Sequence, residues 1–598
     1  MSAFELILRF PRGSVLIGGH ATIPGGVHAV HARLDDGRPF LPASAIRGAL
    51  REALEGLLRA TGERACAGGD GAEPKEGAGP QVCALDGGQP CRACRLFGGG
   101  RDVLPKDERT FSALVLGEAH VAEQGLVEWQ SRFGVAINRQ EHRAADHMLV
   151  RRLVPEPGLT FRATGRLTTT SDTLQGDLLA AIRATTHLGS GRSSGLARVE
   201  MELRWIEPAT QIDPLPVGDR VELTFELTAP ASLGVPLAPA IGNFRETRRE
   251  IPGSALRGAI GFALAEVLSN PNDNADFQAL VDEKSGAIFD FSYAVDLHAA
   301  AEGPAGPWPL TALACKRDKA HGVVDTLLDR IVVAHLQSAA DVRALDAAYR
   351  CPVCHGPLGS TESSRRAARP PPTQVVTRVT MDRERGAARD SHLFSYAQIK
   401  AGAHFLGQIR RIPERSRALL AQALAGPLSV GRARSLGWGS IKVLPIAKPA
   451  PMRSIEDRAR AFDEALAARL SAARLDASRV DRLVPITLLS PLVLGDDGDD
   501  GRRTLEKALD LPVHPWPVVA RRFELERGWD QRKGARPVVQ VARAGGVFVI
   551  ELPEGRRRRE LLPALARLEA EGAGERTTMG FGRVICFDPV NGEGARRP

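Results

Sequence analysis

Aromatic side chains are scarce in this sequence. Tyrosine occurs three times in 598 residues, and phenylalanine, tryptophan and tyrosine together make up 5%. Binding a nucleic acid mainly by stacking its bases requires exposed aromatic rings, so that mode is not expected here. Long apolar runs are also missing. No segment approaches the roughly 20 apolar residues that span a bilayer, which excludes a transmembrane helix.

A secretion leader is not expected either. The sequence starts with MSAFELILRFPRG, which has no cationic leader and carries Glu5 inside its apolar run. We predict a first β-strand at this position. The protein is therefore expected to be cytoplasmic, where its eight cysteines would be reduced or metal-bound rather than disulfide-linked.

The overall composition predicts a globular chain of several domains, with 43% hydrophobic and 25% charged residues. The net charge is +8, and most of the positive charge comes from arginine. The planar guanidinium group donates two hydrogen bonds to a phosphate, so a polyanionic partner fits this composition. A genome that favours alanine, arginine and glycine codons would explain the composition equally well.

A helix-start motif occurs twice. FLPASAIRGALREAL at residues 40–54 is repeated as EIPGSALRGAIGFAL at residues 250–264. A third, degenerate copy starts with VPITLLSPLVLGDD at residues 484–497, which resembles VELTFELTAPASLG at residues 221–234 but lacks the helix start. Repeated motifs indicate repeated structural units.

Each copy alternates strands and helices and ends in a glycine-rich loop before a strand. This order predicts an α+β fold of tandem ferredoxin-like domains, the split β-α-β arrangement, with zinc-binding inserts. A polar start at Ser454 and an apolar stripe beyond it predict a long helix after the second copy. The predicted domains are 1–210 with a four-cysteine insert, 215–447 with a cysteine-rich insert, a helical connector at 448–482, a degenerate third domain at 483–590 and a loose tail at 591–598.

The first cysteine set lies in a short glycine-rich stretch. It consists of Cys66, Cys83, Cys91 and Cys94, the last two in a Cys-x-x-Cys motif. Four thiolates in a segment with few apolar residues predict a structural zinc ion that provides the order. Incidental cysteines are the alternative.

The second copy has three cysteines at the equivalent place, Cys315, Cys351 and Cys354, and the last two form CPVC. A tetrahedral zinc site needs a fourth ligand, and His321 is the nearest good candidate. His355 adjoins Cys354 and would bind with strained geometry. Both sets have four ligands and no open position, so a zinc enzyme is disfavoured.

Three glycine-rich loops precede strands: GSGRSSG at 189–195, GRARSLGWG at 431–439 and GFG at 580–582. Glycine allows close backbone approach to a ligand, and exposed backbone N–H groups bind anions. Tight turns before an edge strand are the alternative. The loop at 242–250 and the two helix-start motifs add arginines that would either bind phosphates or lie solvated on the surface. The candidate phosphate-binding residues are Arg47, Gly189, Gly191, Arg192, Arg245, Arg257, Gly431, Arg432, Arg434, Gly437, Gly580, Gly582 and Arg583.

These motifs resemble a known family. The Pro-x-Ser-x-[Leu/Ile]-Arg-Gly helix, the Cys-x-x-Cys-x-Leu-Phe-Gly run, the NR…H-x-L…G-x-x-F block and the glycine-rich loop are together similar to the RAMP superfamily of CRISPR effector subunits. The first copy resembles the backbone subunits of type III complexes, and the other two resemble the Csx-type RAMP subunit of type III-D. The resemblance implies RRM-like (RAMP) domains. It also implies guide RNA, complementary target RNA and other RAMP and CRISPR effector subunits as partners.

The resemblance also raises the question of RNA cleavage. Backbone subunits of the family cut target RNA with an aspartate between the first strand and the repeated helix. In this chain that position falls near Val27 or His28, and the only acids of the loop are Asp35 and Asp36, in a sequence typical of a turn. A non-catalytic, guide-RNA-binding scaffold is therefore expected.

The alternative function is an RNA endonuclease subunit that cleaves target RNA or processes guide RNA. Its candidate catalytic residues are Asp35, Asp36 and His28. Two histidines could also act as general acid and base without a metal. The histidines near the first loop and the first glycine-rich loop are His20, His28, His31 and His187.

Overall fold

The computed structural model describes residues 2–591 apart from several gaps. The longer gaps are 66–89, 100–111, 207–215, 236–242, 298–303, 337–348 and 445–451. The shorter gaps are 12, 19, 24–26, 35, 64, 124, 139, 170, 269, 362–363, 368, 383–386, 479, 496–497, 511–513, 531–533 and 556–557. Among the residues described, no helix has both the length and the apolar character needed to cross a membrane.

The first unit contains ten strands and three helices among its described residues. The strands are β1 (Ser2–Arg9), β2 (His20–Ile23), β3 (Val27–Val30), β4 (Phe40–Leu41), β5 (Leu114–Leu116), β6 (Ala119–Val121), β7 (Trp129–Asn138), β8 (Arg143–Pro155), β9 (Thr160–Leu167) and β10 (Glu200–Ile206). The helices are α1 (Ala43–Ala60), α2 (Arg92–Phe97) and α3 (Asp172–Ala184).

The main sheet of the first unit has the order β10-β1-β9-β6-β4, with β5 also paired to β9. Its strands are antiparallel, and β1 lies between β9 and β10. This is the 4-1-3-2 order of the split β-α-β fold, with the second strand divided into β5 and β6. Helices α1 and α3 cover one face, where residues such as Leu50 and Leu178 form the core with Leu6 of β1. A separate sheet holds the long hairpin β7–β8.

The second unit repeats this arrangement. Its strands are β11 (Val221–Leu227), β12 (Phe244–Arg245), β13 (Ile288–Phe289), β14 (Tyr293–Ala294), β15 (Ala312–Cys315), β16 (Val323–Asp325), β17 (Leu358–Ser360), β18 (Thr373–Asp382), β19 (Ala387–Ile399), β20 (His404–Arg410), β21 (Leu428–Ser429) and β22 (Ser440–Leu444). Its helices are α4 (Gly253–Val267), α5 (Ala275–Val281), α6 (Leu327–Leu336) and α7 (Arg417–Ala425). The main sheet has the order β13-β20-β11-β22-β21, with β14 also paired to β20.

The repeated motif forms the same helix start in both units. Pro42 precedes α1 and Pro252 precedes α4, and both prolines have an extended backbone. Proline suits this position because its fixed φ is compatible with a helix entry and its missing N–H group would have no partner there. The apolar side chains at helical spacing then face the sheet, as the sequence predicts.

The third unit starts with helix α8 (Ile455–Ala472), where the Ser454 side chain accepts a hydrogen bond from the N–H group of Asp457. Its strands are β23 (Leu483–Leu488), β24 (Leu492–Val493), β25 (His514–Ala520), β26 (Phe523–Glu526), β27 (Trp529–Asp530), β28 (Gly534–Ala535), β29 (Val539–Ala542), β30 (Val547–Glu551) and β31 (Val584–Cys586). Its other helices are α9 (Arg502–Leu509) and α10 (Arg558–Glu571).

The main sheet of the third unit has the order β25-β30-β23-β31, which is again 4-1-3-2. Helix α9 occupies the place of α1 and α4, but it begins after Gly501 in a left-handed conformation instead of after a proline. The helix start is therefore present without its usual sequence. Helix α8 packs in the core of this unit through residues such as Phe462 and Leu466. The predicted α+β class is confirmed, and the strand pairs of the three main sheets are antiparallel.

Candidate nucleic-acid interface and metal centre

The three glycine-rich loops have the same backbone conformation. Each contains a single 3-10 turn flanked by left-handed residues, followed by a third left-handed residue two positions later. The left-handed residues are Gly191, Gly195 and Ala197 in the first loop, Ala433, Gly437 and Gly439 in the second, and Arg576, Gly580 and Gly582 in the third. In each loop the carbonyl of the last of these accepts a backbone hydrogen bond of 2.7 to 2.9 Å.

The second and third loops lie between units of the chain. A methyl group built on Gly437 would lie 2.7 Å from the Cα of Gly117, in the turn between β5 and β6. One built on Gly580 would lie 3.0 Å from the Cα of Asp290, in the turn between β13 and β14. Both glycines are buried, so their N–H groups do not form an open phosphate cradle. We leave Gly437, Gly580 and the neighbouring Gly582 out of the RNA contacts proposed below.

The first glycine of the first two loops packs inside its own unit. A methyl group on Gly189 would lie 2.7 Å from the carbonyl oxygen of Leu16, and one on Gly431 would lie 2.5 Å from that of Ser232. Leu16 and Ser232 both follow the first strand of their unit. These glycines therefore permit close packing between the last loop and the first loop of a unit.

Arg47 of the first repeated helix forms hydrogen bonds inside the first unit. Its guanidinium group donates hydrogen bonds to the carbonyl oxygens of Leu114 and Phe97, at 2.5 and 3.0 Å, and to Ser112 Oγ at 3.0 Å. The residue is buried. These bonds hold α1 against the strand and the turn that follow the cysteine-rich insert, and they leave Arg47 out of reach of a phosphate.

Three more of the predicted arginines also face the protein. Arg257 donates to a backbone carbonyl at the end of α5. The guanidinium group of Arg434 stacks on the ring of Phe262, 3.9 Å from its centroid. Arg583 lies 3.4 Å from Asp290, and burial lowers the pKa of Arg583. We therefore leave these three side chains out of the proposed RNA contacts.

The remaining predicted arginines are exposed. Arg192 lies 3.5 Å from Glu52, and both side chains are more than half exposed. Arg245 lies on β12, and Arg432 projects from the second glycine-rich loop. A methyl group on Gly234 would lie 2.7 Å from Arg432 Nη2, and Gly234 forms a β-bridge with Thr247, which shares the segment of Arg245. Arg245 and Arg432 thus lie on one edge of the second unit.

The long hairpin of the first unit carries a basic group that sequence reasoning missed. Arg132 on β7 lies directly opposite Arg152 on β8, and the neighbouring pair is Phe133 and Arg151. The Arg151 guanidinium group lies over the Phe133 ring, 5.6 Å from its centroid. Among the described residues no carboxylate pairs with Arg132 or Arg152. The alternating sequences of the two strands contain the signal, but it becomes visible only once the strand register is known.

The candidate metal centre joins three segments of the second unit. Cys315 ends β15, His321 ends a short 3-10 turn, and Cys351 and Cys354 lie in a tight turn before β17. The potential ligand atoms of these four residues all lie within 4.8 Å of one another. The structure therefore brings together the four residues that the sequence singled out, His321 included.

The distances fit a tetrahedral metal. Cys315 Sγ lies 3.6 Å from Cys354 Sγ, and Cys351 Sγ lies 3.6 Å from His321 Nδ1. Two sulfur atoms bound tetrahedrally to zinc at ~2.3 Å would be about 3.8 Å apart. His321 Nε2 lies 3.7 Å from Asp318 Oδ2. In many metal sites a carboxylate lies beside the ring nitrogen of histidine that does not bind the metal.

The electrostatics of the cluster favour the thiolate form of Cys315 and Cys351, whose pKa values are lowered, whereas the pKa of Cys354 is raised by burial and by the two neighbouring cysteines. The backbone N–H of Asp318 donates to Cys315 Sγ. This bond and the other hydrogen bonds of Cys315 lower the pKa of its thiol to about 6. The pKa of His321 is raised, chiefly by Cys315. Thiolate is the form that binds zinc, so the donor set matches a structural zinc ion.

The first cysteine set is described only in part. Cys66 and Cys83 lie outside the described residues. Cys91 caps helix α2 through its sulfur, which accepts from the N–H of Cys94 at 3.4 Å, and both residues are buried. The Cys94 sulfur also accepts from Arg51 at 3.4 Å. The Cys-x-x-Cys half of this predicted site is thus folded as a compact turn.

Of the candidate catalytic residues Asp35, Asp36 and His28, the structure describes the side chain of Asp36 alone. Asp35 lies outside the described residues, as does the side chain of His28. Asp36 is held by Arg38, whose Nε donates to the carboxylate at 2.8 Å, and these bonds lower the pKa of Asp36. His31 is buried and accepts from the N–H of Ile17, and burial lowers its pKa to about 4. At neutral pH His31 is therefore uncharged and structural.

Two comparisons with known proteins give a match. Residues 13–200 match the family model described as the RAMP superfamily, which covers most of the first unit. A solved chain described as "Type IV-B CRISPR Complex" is similar with a TM-score of 0.25 and 15% identity, over 36% of this chain and 95% of that chain. No curated protein matches the chain. Residues 13–200 are thus similar to the RAMP superfamily, while the relationship to type III or type III-D subunits stays a prediction.

Proposed function

We propose that this chain is a CRISPR-associated RAMP protein that binds guide RNA as a scaffold subunit of a type III effector complex, similar to type III-D. The match of residues 13–200 to the RAMP superfamily supports the family. The same strand order in all three units supports extending this proposal to the rest of the chain. Such a subunit would bind guide RNA and its complementary target in the cytoplasm, beside other RAMP and CRISPR effector subunits.

The observation that carries RNA binding is the opposition of Arg132 and Arg152. Like charges directly opposite each other in an antiparallel pair destabilise the pair. No described carboxylate offsets this cost, whereas Arg143 at the end of the same hairpin pairs with Glu141. A bound phosphate between the two guanidinium groups would turn repulsion into two charge-assisted hydrogen bonds.

A second contact area is the edge that holds Arg245 and Arg432. Both side chains are exposed, and both lie beside the loop that follows the first strand of the second unit. The Arg248 side chain of the same segment is 11% exposed and pairs with Glu526 of the third unit, which fixes the backbone from which Arg245 projects. We propose that this edge contacts the RNA backbone in register with the hairpin of the first unit.

We further propose that Cys315, His321, Cys351 and Cys354 bind one structural zinc ion. The ion would fix the small sheet β16-β15-β17, because two of its ligands lie at the end of β15 and just before β17. Helix α6 leaves this insert and packs in the core of the third unit. Zinc would thereby order the insert that links the second unit to the third.

The test is purification of the tagged chain with the CRISPR proteins encoded beside it, followed by sequencing of co-purified RNA. The proposal expects short RNAs of one length class that share a repeat-derived end. A complex that assembles without RNA would contradict it. RNA of random sequence would also contradict it, because it would indicate non-specific binding to basic surface.

A further inference from the structure

The junctions between units are built alike. The second glycine-rich loop docks through Gly437 on Gly117 of the first unit, and the third docks through Gly580 on Asp290 of the second unit. In both cases a methyl group added to the glycine would lie closer to the backbone of the preceding unit than van der Waals distance allows. Only a residue without a side chain fits either position.

The two docking points are equivalent in the fold. Leu116 lies opposite Gly165 on β9, and Phe289 lies opposite Ile409 on β20. Gly165 and Ile409 are four residues beyond Phe161 and Phe405, which align in the repeats. Each docked glycine therefore contacts the first residue of the turn that divides the second strand of the preceding unit.

At each junction an arginine at the same position of the third strand bonds to the following unit. Arg166, on the third strand of the first unit, bonds to Glu266 of the second at 2.8 Å. Arg410, at the equivalent position of the second unit, donates to the carbonyl oxygen of Glu569 in the third at 3.0 Å. A docking unit is thus defined by a divided second strand and an arginine on the third strand.

The first glycine-rich loop has the same shape but no such neighbour. A methyl group on Gly195 would meet no atom within 4 Å, whereas the equivalent Gly437 and Gly580 are buried by the preceding unit. Gly195 and Ser194 are exposed. The left-handed glycine is nevertheless present at the position where the other loops require it for docking.

We propose that the first glycine-rich loop is the docking site for a ferredoxin-like unit of another protein, which presents a divided second strand to Gly195. This rests on the proposed place of the chain beside other RAMP subunits, but it does not depend on the proposed RNA binding. The Arg192–Glu52 pair would lie at the rim of this junction, since its counterpart Arg434 stacks on Phe262 beside the docked second loop. The partner should carry an arginine equivalent to Arg166.

The structure favours a different protein over a second copy of this chain. On Gly195 of a second copy, the third unit would have to dock through β25, which is its second strand. This strand is not divided in two as in the other units; its register only shifts between Pro515 and Val519. Helix α6 of the second unit already lies against β25. The equivalent strand of this chain thus has an internal neighbour, while no described atom lies within 4 Å of a methyl group built on Gly195.

The test uses the full chain and the RAMP-superfamily subunits encoded beside it, each purified separately, with binding measured by interferometry. Gly195→Asn adds a side chain at the junction, and asparagine tolerates the left-handed backbone. Gly158→Asn is the matched control, because Gly158 also has a positive φ and open surroundings, in the turn between β8 and β9. Both variants should have the thermal stability of the natural chain.

We expect Gly195→Asn to weaken binding of one subunit at least tenfold and Gly158→Asn to leave it unchanged, with RNA binding intact in both. A photocrosslinker at Ser194 should then join the divided strand of that subunit. The proposal is overturned if no subunit binds, or if both variants bind like the natural chain. It is also overturned if Gly195→Asn abolishes self-association, which identifies a second copy. Loss of RNA binding alone would identify the loop as an RNA site.

Discussion

Arg410 holds Asp290 with two parallel hydrogen bonds, each 2.9 Å long, at the junction of the second and third units. Both residues are buried. Arg583 of the third unit adds a second guanidinium group 3.4 Å from the same carboxylate. One buried aspartate therefore neutralises arginines from both units, and the junction depends on its charge.

Asp290→Asn should strongly destabilise the chain. Removing one partner of a buried ion pair leaves an unpaired charge and costs about 3–5 kcal/mol. Glu283→Gln is the matched control, because Glu283 pairs with Arg536 at the same junction but is half exposed. It should cost less than about 1 kcal/mol. Urea unfolding followed by tryptophan fluorescence measures both, and equal effects would contradict the role of Asp290.

Neutralising the arginine pair of the hairpin should weaken RNA binding. For the double variant Arg132→Gln/Arg152→Gln, we expect a lower affinity for all single-stranded RNA sequences alike. The slope of log affinity against log salt should flatten by about 1.4, because each phosphate contact to a single strand contributes about 0.7. Fluorescence anisotropy over a salt series measures this.

The control for the hairpin variant is Arg204→Gln on the edge strand β10, where Arg204 is exposed and already pairs with Glu202. It should leave both the affinity and the slope unchanged. If the double variant behaves like this control, the hairpin does not bind RNA backbone.

The folded chain should contain one or two zinc ions, one of them in the second cysteine set. Cys351→Ser should remove one zinc per chain and lower the melting temperature, because the insert loses its metal. Val353→Ser lies in the same turn with an exposed side chain and should keep the zinc. Elemental analysis of the purified protein decides this, and a folded sample without zinc would contradict both predicted sites.

The stability of the first unit should fall in mild acid because of His31. Its pKa is about 4 in the folded chain, against a usual value of 6.5. Between pH 4 and 6.5 the unfolded chain therefore binds a proton at His31 that the folded chain does not bind. Stability is complete above pH 6.5 and falls by about 3 kcal/mol as the pH drops to 4.

The variant His31→Asn tests this pH dependence. Asparagine keeps an acceptor for the N–H of Ile17 but does not titrate in this range. Its loss of stability between pH 6.5 and 4 should be smaller than that of the natural chain by about the same 3 kcal/mol. If the variant and the natural chain lose the same amount of stability between pH 6.5 and 4, His31 is not the cause.

The chain itself should not cleave RNA. Asp36 is bound by Arg38 in a turn, and among the described residues of the first loop no other carboxylate is placed to act on a phosphate. Incubating the assembled complex with complementary target RNA tests this with Asp36→Ala and His28→Ala. Cuts that persist in both variants come from other subunits, whereas loss of a cut in either variant would make this chain a nuclease.

Local sequence signals predicted local structure well. The prolines before α1 and α4, the cap at Ser454 and the shared shape of the glycine-rich loops follow from backbone preferences of a few neighbouring residues. His321 was found because a tetrahedral site needs a fourth donor. In each case the physical constraint acts within a short stretch or within one metal site.

Contacts between units were not predictable in this way. The sequence shows that Gly437 and Gly580 lie in glycine-rich loops, but their docking on Gly117 and Asp290 depends on segments hundreds of residues apart. Phosphate binding and close backbone packing require the same residue type, and only the fold separates them. The opposition of Arg132 and Arg152 likewise requires the strand register, and α9 starts without the proline that marks its counterparts.

The covalent links between the three units have a consequence for assembly. Tethered partners meet at an effective concentration in the millimolar range, so the two inner junctions close even if each is weak. A junction at Gly195 has no tether and closes only as the concentration of the separate partner allows. Each assembled particle would then contain these three units in a fixed ratio and order, and a further subunit docked at Gly195 would be the component whose occupancy varies with its concentration.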